Sequence, residues 1–169
     1  MKSQYIQYYV EGEDEEKLVN VLKSQLRVIK PGKIQKLNVV EREISDARLR
    51  TLSRGTMVVL VFDTDTGNTS VLEKNIKKLE SCSSVSSVVI IPQVPNLEEE
   101  LVKSCNIKTA PELIGCKSDK DFKRDFKRTT NLDAKLKGHG FDINRLWNSQ
   151  PAPPYQNFIN QSSKIKIIP

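Results

Sequence analysis

The sequence predicts an α/β fold: an open, mainly parallel sheet of about four strands with crossover helices, plus a helical basic C-terminal extension. Three observations carry this expectation. Met57-Val58-Val59-Leu60-Val61-Phe62 is an unbroken apolar run, the pattern of a strand covered on both faces rather than one with a wet side. Apolar residues recur at helical spacing after two strand-like runs, at Leu18, Val19, Leu22 and Leu26 and again at Val71, Leu72, Ile76 and Leu79. Strand-like and helical stretches then alternate along the first hundred residues, as crossover connections require.

Taken in order, Tyr5 to Val10 is rich in aromatic and β-branched residues and reads as the first strand. Glu11-Gly12 breaks it, and the acids Glu13 to Glu16 open a helix, where negative charge complements the dipole. Pro31-Gly32 ends the helical region. Ile34 to Val40 reads as a second strand, and Glu41 to Ser53 as a short amphipathic helix with Ile44, Leu49 and Leu52 inward. Thr56 to Phe62 is the third strand, ending in the polar loop Asp63-Thr64-Asp65-Thr66-Gly67-Asn68. A helix follows from Ser70 to Cys82, then a buried strand from Ser87 to Ile91 that Pro92 closes. Leu97 to Ser104 is helical and carries Glu98, Glu99 and Glu100. Lys117 to Lys137, with Phe122, Phe126 and Leu132 interleaved, reads as one or two basic amphipathic helices, and Ile165 to Ile168 as a last edge strand. The division is residues 1–110 as a catalytic core and 111–169 as an extension packed on it.

The chain has 169 residues, enough for one domain with a proper core. No apolar run approaches the roughly 18–20 residues of a membrane helix. Met1-Lys2-Ser3-Gln4-Tyr5 lacks the apolar stretch of a secretory leader, so the sequence predicts a cytoplasmic protein. Cys82, Cys105 and Cys116 are odd in number and widely spaced, fitting small buried side chains rather than disulfides or a zinc site. His139 is the single histidine, which disfavours imidazole metal sites and Ser-His-Asp hydrolysis alike. It sits between Gly138 and Gly140, as in a connecting turn. Trp147 reads as core packing, and Tyr155 as a poor candidate for a covalent nucleophile.

Ligands of open α/β sheets bind at the carboxyl ends of the strands. Two expected strands end there in acids: the first delivers Glu11, with Glu15 one helical turn on, and the third delivers Asp63 and Asp65. Carboxylates gathered on one rim need a neutralising cation, and oxygen-only donors favour Mg²⁺ or Mn²⁺. The loop is no EF-hand, because Lys74 stands where the twelfth-position glutamate belongs. The alternative role for these acids is to cap helices and solvate loops.

Val10-Glu11-Gly12-Glu13-Asp14-Glu15 before a helix, and Val61-Phe62-Asp63-Thr64-Asp65 at the end of an apolar strand, resemble the Toprim domain. That domain is shared by topoisomerases, bacterial-type primases and nucleases, including the OLD (overcoming lysogenization defect) family. The resemblance covers residues 5–105 and is nearest to small stand-alone and OLD-like nucleases. It implies a catalytic role for Glu11, Asp63 and Asp65, and metal binding by Glu11, Glu15, Asp63 and Asp65. Asn96-Leu97-Glu98-Glu99-Glu100-Leu101 is similar to an acidic helix start of the OLD-like branch, which adds Glu98 as a ligand, with Glu99 or Glu100 as alternatives. No Gly-x4-Gly-Lys-Ser/Thr loop occurs, so the ATPase domain of the long OLD proteins is not expected in this chain.

The formal net charge is +6, and Lys117–Lys137 alone carries eight Lys or Arg against four Asp. Lys120, Lys123, Arg124, Lys127 and Arg128 are therefore expected to follow a nucleic-acid backbone. The bland alternative is a solvated surface helix. The resulting expectation is a metal-dependent DNA or RNA endonuclease serving antiviral defence or nucleic-acid processing. The rival readings are a non-cleaving scaffold that binds nucleic acid or a partner ATPase, and an enzyme of small phosphate substrates.

Overall fold

A computed structural model describes residues 4–168. Met1-Lys2-Ser3, the start of the stretch read above as lacking a leader, and Pro169 lie outside the described residues. Four strands, β1 (Ile6–Val10), β2 (Lys33–Lys36), β3 (Thr56–Asp63) and β4 (Val85–Gln93), form one sheet in the order β2-β1-β3-β4. Every pairing is parallel, as the continuous apolar run of β3 predicts. The helices are α1 (Glu13–Ser24), α2 (Asp46–Arg50), α3 (Ser70–Glu80), α4 (Leu97–Ser104), α5 (Pro111–Ile114), α6 (Asp119–Arg128) and α7 (Leu132–Gly138). A 3₁₀ turn at Ser162–Lys164 follows. None of them is long and apolar enough to cross a membrane.

Side-chain alternation divides the core into two layers. Ile6, Tyr8 and Val10 of β1, Met57, Val59 and Val61 of β3, and Val89 and Ile91 of β4 pack with α1, α4, α6 and α7. Tyr9, Val58, Leu60 and Phe62 face the other way, onto Leu72 and Leu79 of α3 and the loop residues Leu37, Val39, Val40 and Ile44. The extension is continuous with both layers. Phe122, Phe126, Leu132, Leu136 and Trp147 belong to the first, whereas Tyr155 and Phe158 close over Phe62 in the second.

Several elements differ from their expected bounds. β2 stops at Lys36, and Leu37 to Val40 continue as a buried loop instead of a strand. Asn75 of α3 causes this departure: its Nδ2 donates to the carbonyls of Val39 and Arg42, both at 2.8 Å, and its Oδ1 accepts from Ile44 N at 2.8 Å. These bonds satisfy the loop backbone without a neighbouring strand. The helix expected over 41–53 shrinks to α2, because Ser45 caps it by accepting from Arg48 N. β4 runs through Pro92 to Gln93 rather than ending before it. The strand is at the sheet edge, where proline's missing N–H costs no ladder bond. The expected strand over 165–168 reduces to one antiparallel bridge, Ile29 to Lys166. Cys105 is buried as expected, while Cys82 and Cys116 are only half-buried.

A buried acid fastens the extension to the sheet. Glu100 is fully enclosed; its Oε1 accepts from Val94 N at 3.0 Å and Lys103 Nζ at 3.1 Å, and its Oε2 from Trp147 N at 2.8 Å. It is therefore a structural group and not a ligand. Glu100→Ala should lower unfolding free energy by about 3 kcal/mol, since the backbone N–H groups of Val94 and Trp147 lose their acceptor and the half-buried Lys103 loses its counter-charge. Urea denaturation checks this, and a loss below about 1 kcal/mol would contradict the fastening role.

Candidate metal centre

The site forms where the parallel strands end. Val10 pairs with Val61, so β1 and β3 deliver Glu11 and Asp63 to the same rim. Parity then selects the face: Asp63 continues the set Met57, Val59, Val61, and Gln93 continues Val89, Ile91, both toward α1. Glu15 is the third residue of α1 and bends back, its Oε2 accepting from Gly12 N at 3.1 Å. The reciprocal half of a capping box thus also aims a carboxylate into the rim.

One carboxylate oxygen from each of Glu11, Glu15 and Asp63 lies within 4.8 Å of the other two, so these three acids can hold a metal ion. Glu11 is fixed by Asp63 N, which donates to its Oε2 at 3.0 Å. Gln93 fixes the others: Nε2 donates to Asp63 Oδ1 at 2.7 Å and to Glu15 Oε1 at 3.4 Å. Trp147 sets the direction of that amide. An indole N–H can only donate, and Nε1 meets Gln93 Oε1 at 3.2 Å, so the amide NH₂ must face the acids.

Crowding and burial act together on protonation. Burial, then the charges of Glu11 and Glu15, push the Asp63 carboxyl up to about 9, against the opposing bond from Gln93. Burial, with Glu11 and Asp14 adding to it, pushes Glu15 up to about 7. Glu11 is raised mainly by burial, with the Asp63 backbone bond opposing. Asp14 is raised as well, chiefly by burial, and its Oδ1 is enclosed without a hydrogen-bond partner. The donor set fits a hard divalent cation: all oxygen, and short of neutralising charge.

A groove of about 790 Å³ opens above these acids. Of the other expected ligands, Asp65 is exposed on the groove, two residues beyond the strand, and Glu98 is half-buried in its wall at the start of α4. Neither belongs to the close triad. Thr64 ends the strand geometry there, its N–H donating to Pro95 O at 2.7 Å and its hydroxyl to Gln93 O at 2.8 Å, which carries Asp65 outward. Glu99 also borders the groove, exposed.

The basic residues of α6 divide. Phe122 and Phe126 are buried as expected, and Lys123 and Lys127, one turn apart, border the groove. Lys17 holds α6 in place by donating to the carbonyls of Lys127 (2.9 Å) and Thr129 at its C-terminal end. Lys120, Arg124 and Arg128 do not border the groove. Arg124 instead pairs with Asp121 at 3.2 Å and Asp125 at 2.8 Å, both from its own helix. Residues three and four apart on α6 share a face, and only the Lys123/Lys127 stripe meets the groove. Tyr155 is buried, its hydroxyl bonded to Thr66 at 2.6 Å.

Gln93 and Trp147 were not legible as site residues. Pro92 places the expected strand end at Ile91, two residues before Gln93, and Trp147 lies 54 residues further along the chain. Trp147→Phe removes the indole donor and frees the Gln93 amide to turn, so affinity for Mn²⁺ should fall about tenfold, as for other groups that orient ligands. Gln93→Leu should do the same while leaving Trp147 packed. Titration followed by Mn²⁺ electron paramagnetic resonance reads both, and unchanged affinity in the two variants would remove the orienting role.

The fold and the site together define a parallel α/β protein with a three-carboxylate centre at the strand C-termini. No protein-family model matches the chain, and neither a curated protein nor a solved structure is significantly similar to it.

Proposed function

We propose that the protein is a metal-dependent nuclease of Toprim type that cleaves phosphodiester bonds of DNA or RNA, using Mg²⁺ or Mn²⁺ held by Glu11, Glu15 and Asp63. The observation that carries the reading is the convergence of three acids from β1, α1 and β3 within 4.8 Å under an open groove. The resemblance of the two acidic motifs, Glu11 to Glu15 and Asp63-x-Asp65, to those of the Toprim domain supplies the rest.

A hard divalent cation, when bound, neutralises charge on a phosphodiester and activates an oxygen nucleophile. In this reading Glu11, Glu15 and Asp63 bind it in their ionised forms. Gln93 keeps the last two from turning away. Asp65, exposed on the groove beside the triad, is placed to accept a proton from attacking water or to complete the ligand set. Lys123 and Lys127 hold the phosphate backbone above the centre. Glu98 tunes the site by its charge, which faces Asp14. By the same resemblance, the biological setting is antiviral defence or nucleic-acid processing, with an ATPase as the kind of protein partner.

The test is incubation of the pure protein with plasmid DNA and with structured RNA in EDTA, Mg²⁺ or Mn²⁺, beside an Asp63→Ala, Asp65→Ala variant. Cleavage that needs the cation and is lost in the variant is expected. Cleavage that survives EDTA or the double substitution would exclude the metal mechanism, and binding without cleavage under every condition would leave the non-cleaving scaffold.

A further inference from the structure

The groove carries a second cationic bank that is distant in sequence from α6. Lys36 at the end of β2, Arg42 in the loop held by Asn75, and Arg48 on α2 all border it. Among the described residues, Arg42 and Arg48 form no ion pair with any acid, although Glu41 borders the groove beside them. Arg48 donates to Gln35 Oε1, at 3.1 Å. Lys123 of α6 is likewise unpaired among the described residues. The two banks meet at Glu13, whose carboxylate lies 3.6 Å from Lys36 and 3.5 Å from Lys127. All of these side chains are half-exposed or exposed.

We propose that Lys36, Arg42 and Arg48 form a second phosphate-binding bank, so that the groove grips one polynucleotide strand on both sides of the carboxylate centre and accepts the interior of a strand. The inference rests on the nuclease reading for the identity of its ligand, and it adds residues and a binding mode that the motifs do not contain. Its physical basis is charge placement. A lone phosphate above three acids is repelled until a cation is bound, whereas flanking phosphates find cations on Arg42, Arg48 and Lys123, which form no ion pair among the described residues. Glu13 holds one lysine of each bank in the free protein, and a strand entering the groove takes over both. Two banks also disfavour a site that recognises only a strand end or a mononucleotide, because such a ligand leaves one bank without phosphate.

The test uses the full chain and fluorescence anisotropy of a labelled single-stranded oligonucleotide in EDTA across a salt series, which reads binding without cleavage. Arg42→Gln, Arg48→Gln together should reduce the salt slope by about 1.4, two contacts at about 0.7 each. Lys123→Gln, Lys127→Gln should reduce it by a similar amount, and Arg42→Lys, Arg48→Lys should restore most of the loss. Glu13→Gln should bind more tightly, and Arg54→Gln, Lys77→Gln, away from the groove, should match the wild type. Closed circular single-stranded DNA should compete as well per nucleotide as linear strands.

Absence of binding by the wild type, an unchanged slope in the Arg42/Arg48 variant, or failure of the circle to compete would overturn the proposal. If binding follows the expected pattern but no form cleaves with Mn²⁺, the two-bank groove stands and the nuclease reading falls. Wild-type cleavage of an oligonucleotide that the Arg42/Arg48 variant performs equally well would do the reverse.

Discussion

Asp63→Ala should lower cation-dependent cleavage by about 10³-fold or more, with the wild-type rate approached again at no concentration of Mg²⁺. Asp63 is the acid on which the rest of the site converges. Its backbone N–H fixes Glu11, its Oδ1 is held by Gln93, and it is the most strongly perturbed carboxyl of the triad. Removing it takes away a ligand and lets Glu15 and Gln93 relax together. The same substitution should raise the thermal midpoint of the metal-free protein at pH 8. Ionised carboxylates crowded at a partly buried rim repel one another and destabilise the metal-free fold, and in the nuclease reading relieving them exchanges activity for stability. Initial rates over a cation titration and a melting curve in EDTA check the two halves. A rate within tenfold of wild type would remove Asp63 from the chemistry.

The second large effect is a dependence of metal affinity on pH. Affinity should rise by at least about 100-fold between pH 6 and pH 8.5, because a cation must displace the protons that Asp63 and Glu15 retain. With Asp63 pushed up to about 9 and Glu15 up to about 7, the metal-free centre keeps the Asp63 proton near neutrality and shares the Glu15 proton about equally with solvent. The sign follows for folding too. Both folded-state values lie above those of an unfolded chain, so below about pH 4 folded and unfolded chains are protonated alike and the site has no effect. Between about pH 4 and pH 9 the unfolded chain ionises first, so the metal-free protein loses stability from this site as pH rises. Cation binding reverses that trend. Melting temperature should therefore fall with pH in EDTA and gain more from Mn²⁺ at pH 8.5 than at pH 6. Calorimetric titration in buffers of differing ionisation enthalpy should show about one to two protons released per ion at pH 7.

Much of the fold was readable because its signals are local. The β3 run announces a strand buried on both faces, and α4 has the predicted bounds because Asn96 caps it, accepting from Glu99 N at 3.0 Å. The triad was legible for the same reason, since each of Glu11, Glu15 and Asp63 stands at a strand end or a helix start, where a short motif fixes position. What could not be read depends on contacts distant in sequence. Asn75 looks like one more polar helix residue, yet it holds an entire loop from within the core. Gln93 lies beyond a proline that an interior strand would not tolerate, and only the strand order reveals that β4 is an edge. Among Glu98, Glu99 and Glu100 the sequence offers no choice; packing against Trp147 and Lys103 turns Glu100 inward and leaves Glu98 on the groove. The same limit applies to α6, where sequence gives the helix and its apolar side, but not which basic stripe faces the acids.

The most direct test of the metal centre is anomalous diffraction from crystals soaked in Mn²⁺ at pH 8. A peak bounded by the carboxylates of Glu11, Glu15 and Asp63, absent from Asp63→Ala crystals, is the expected result. An ordered triad with no peak, or Mn²⁺ bound elsewhere with these acids still held only by Gln93 and the backbone, would contradict the account.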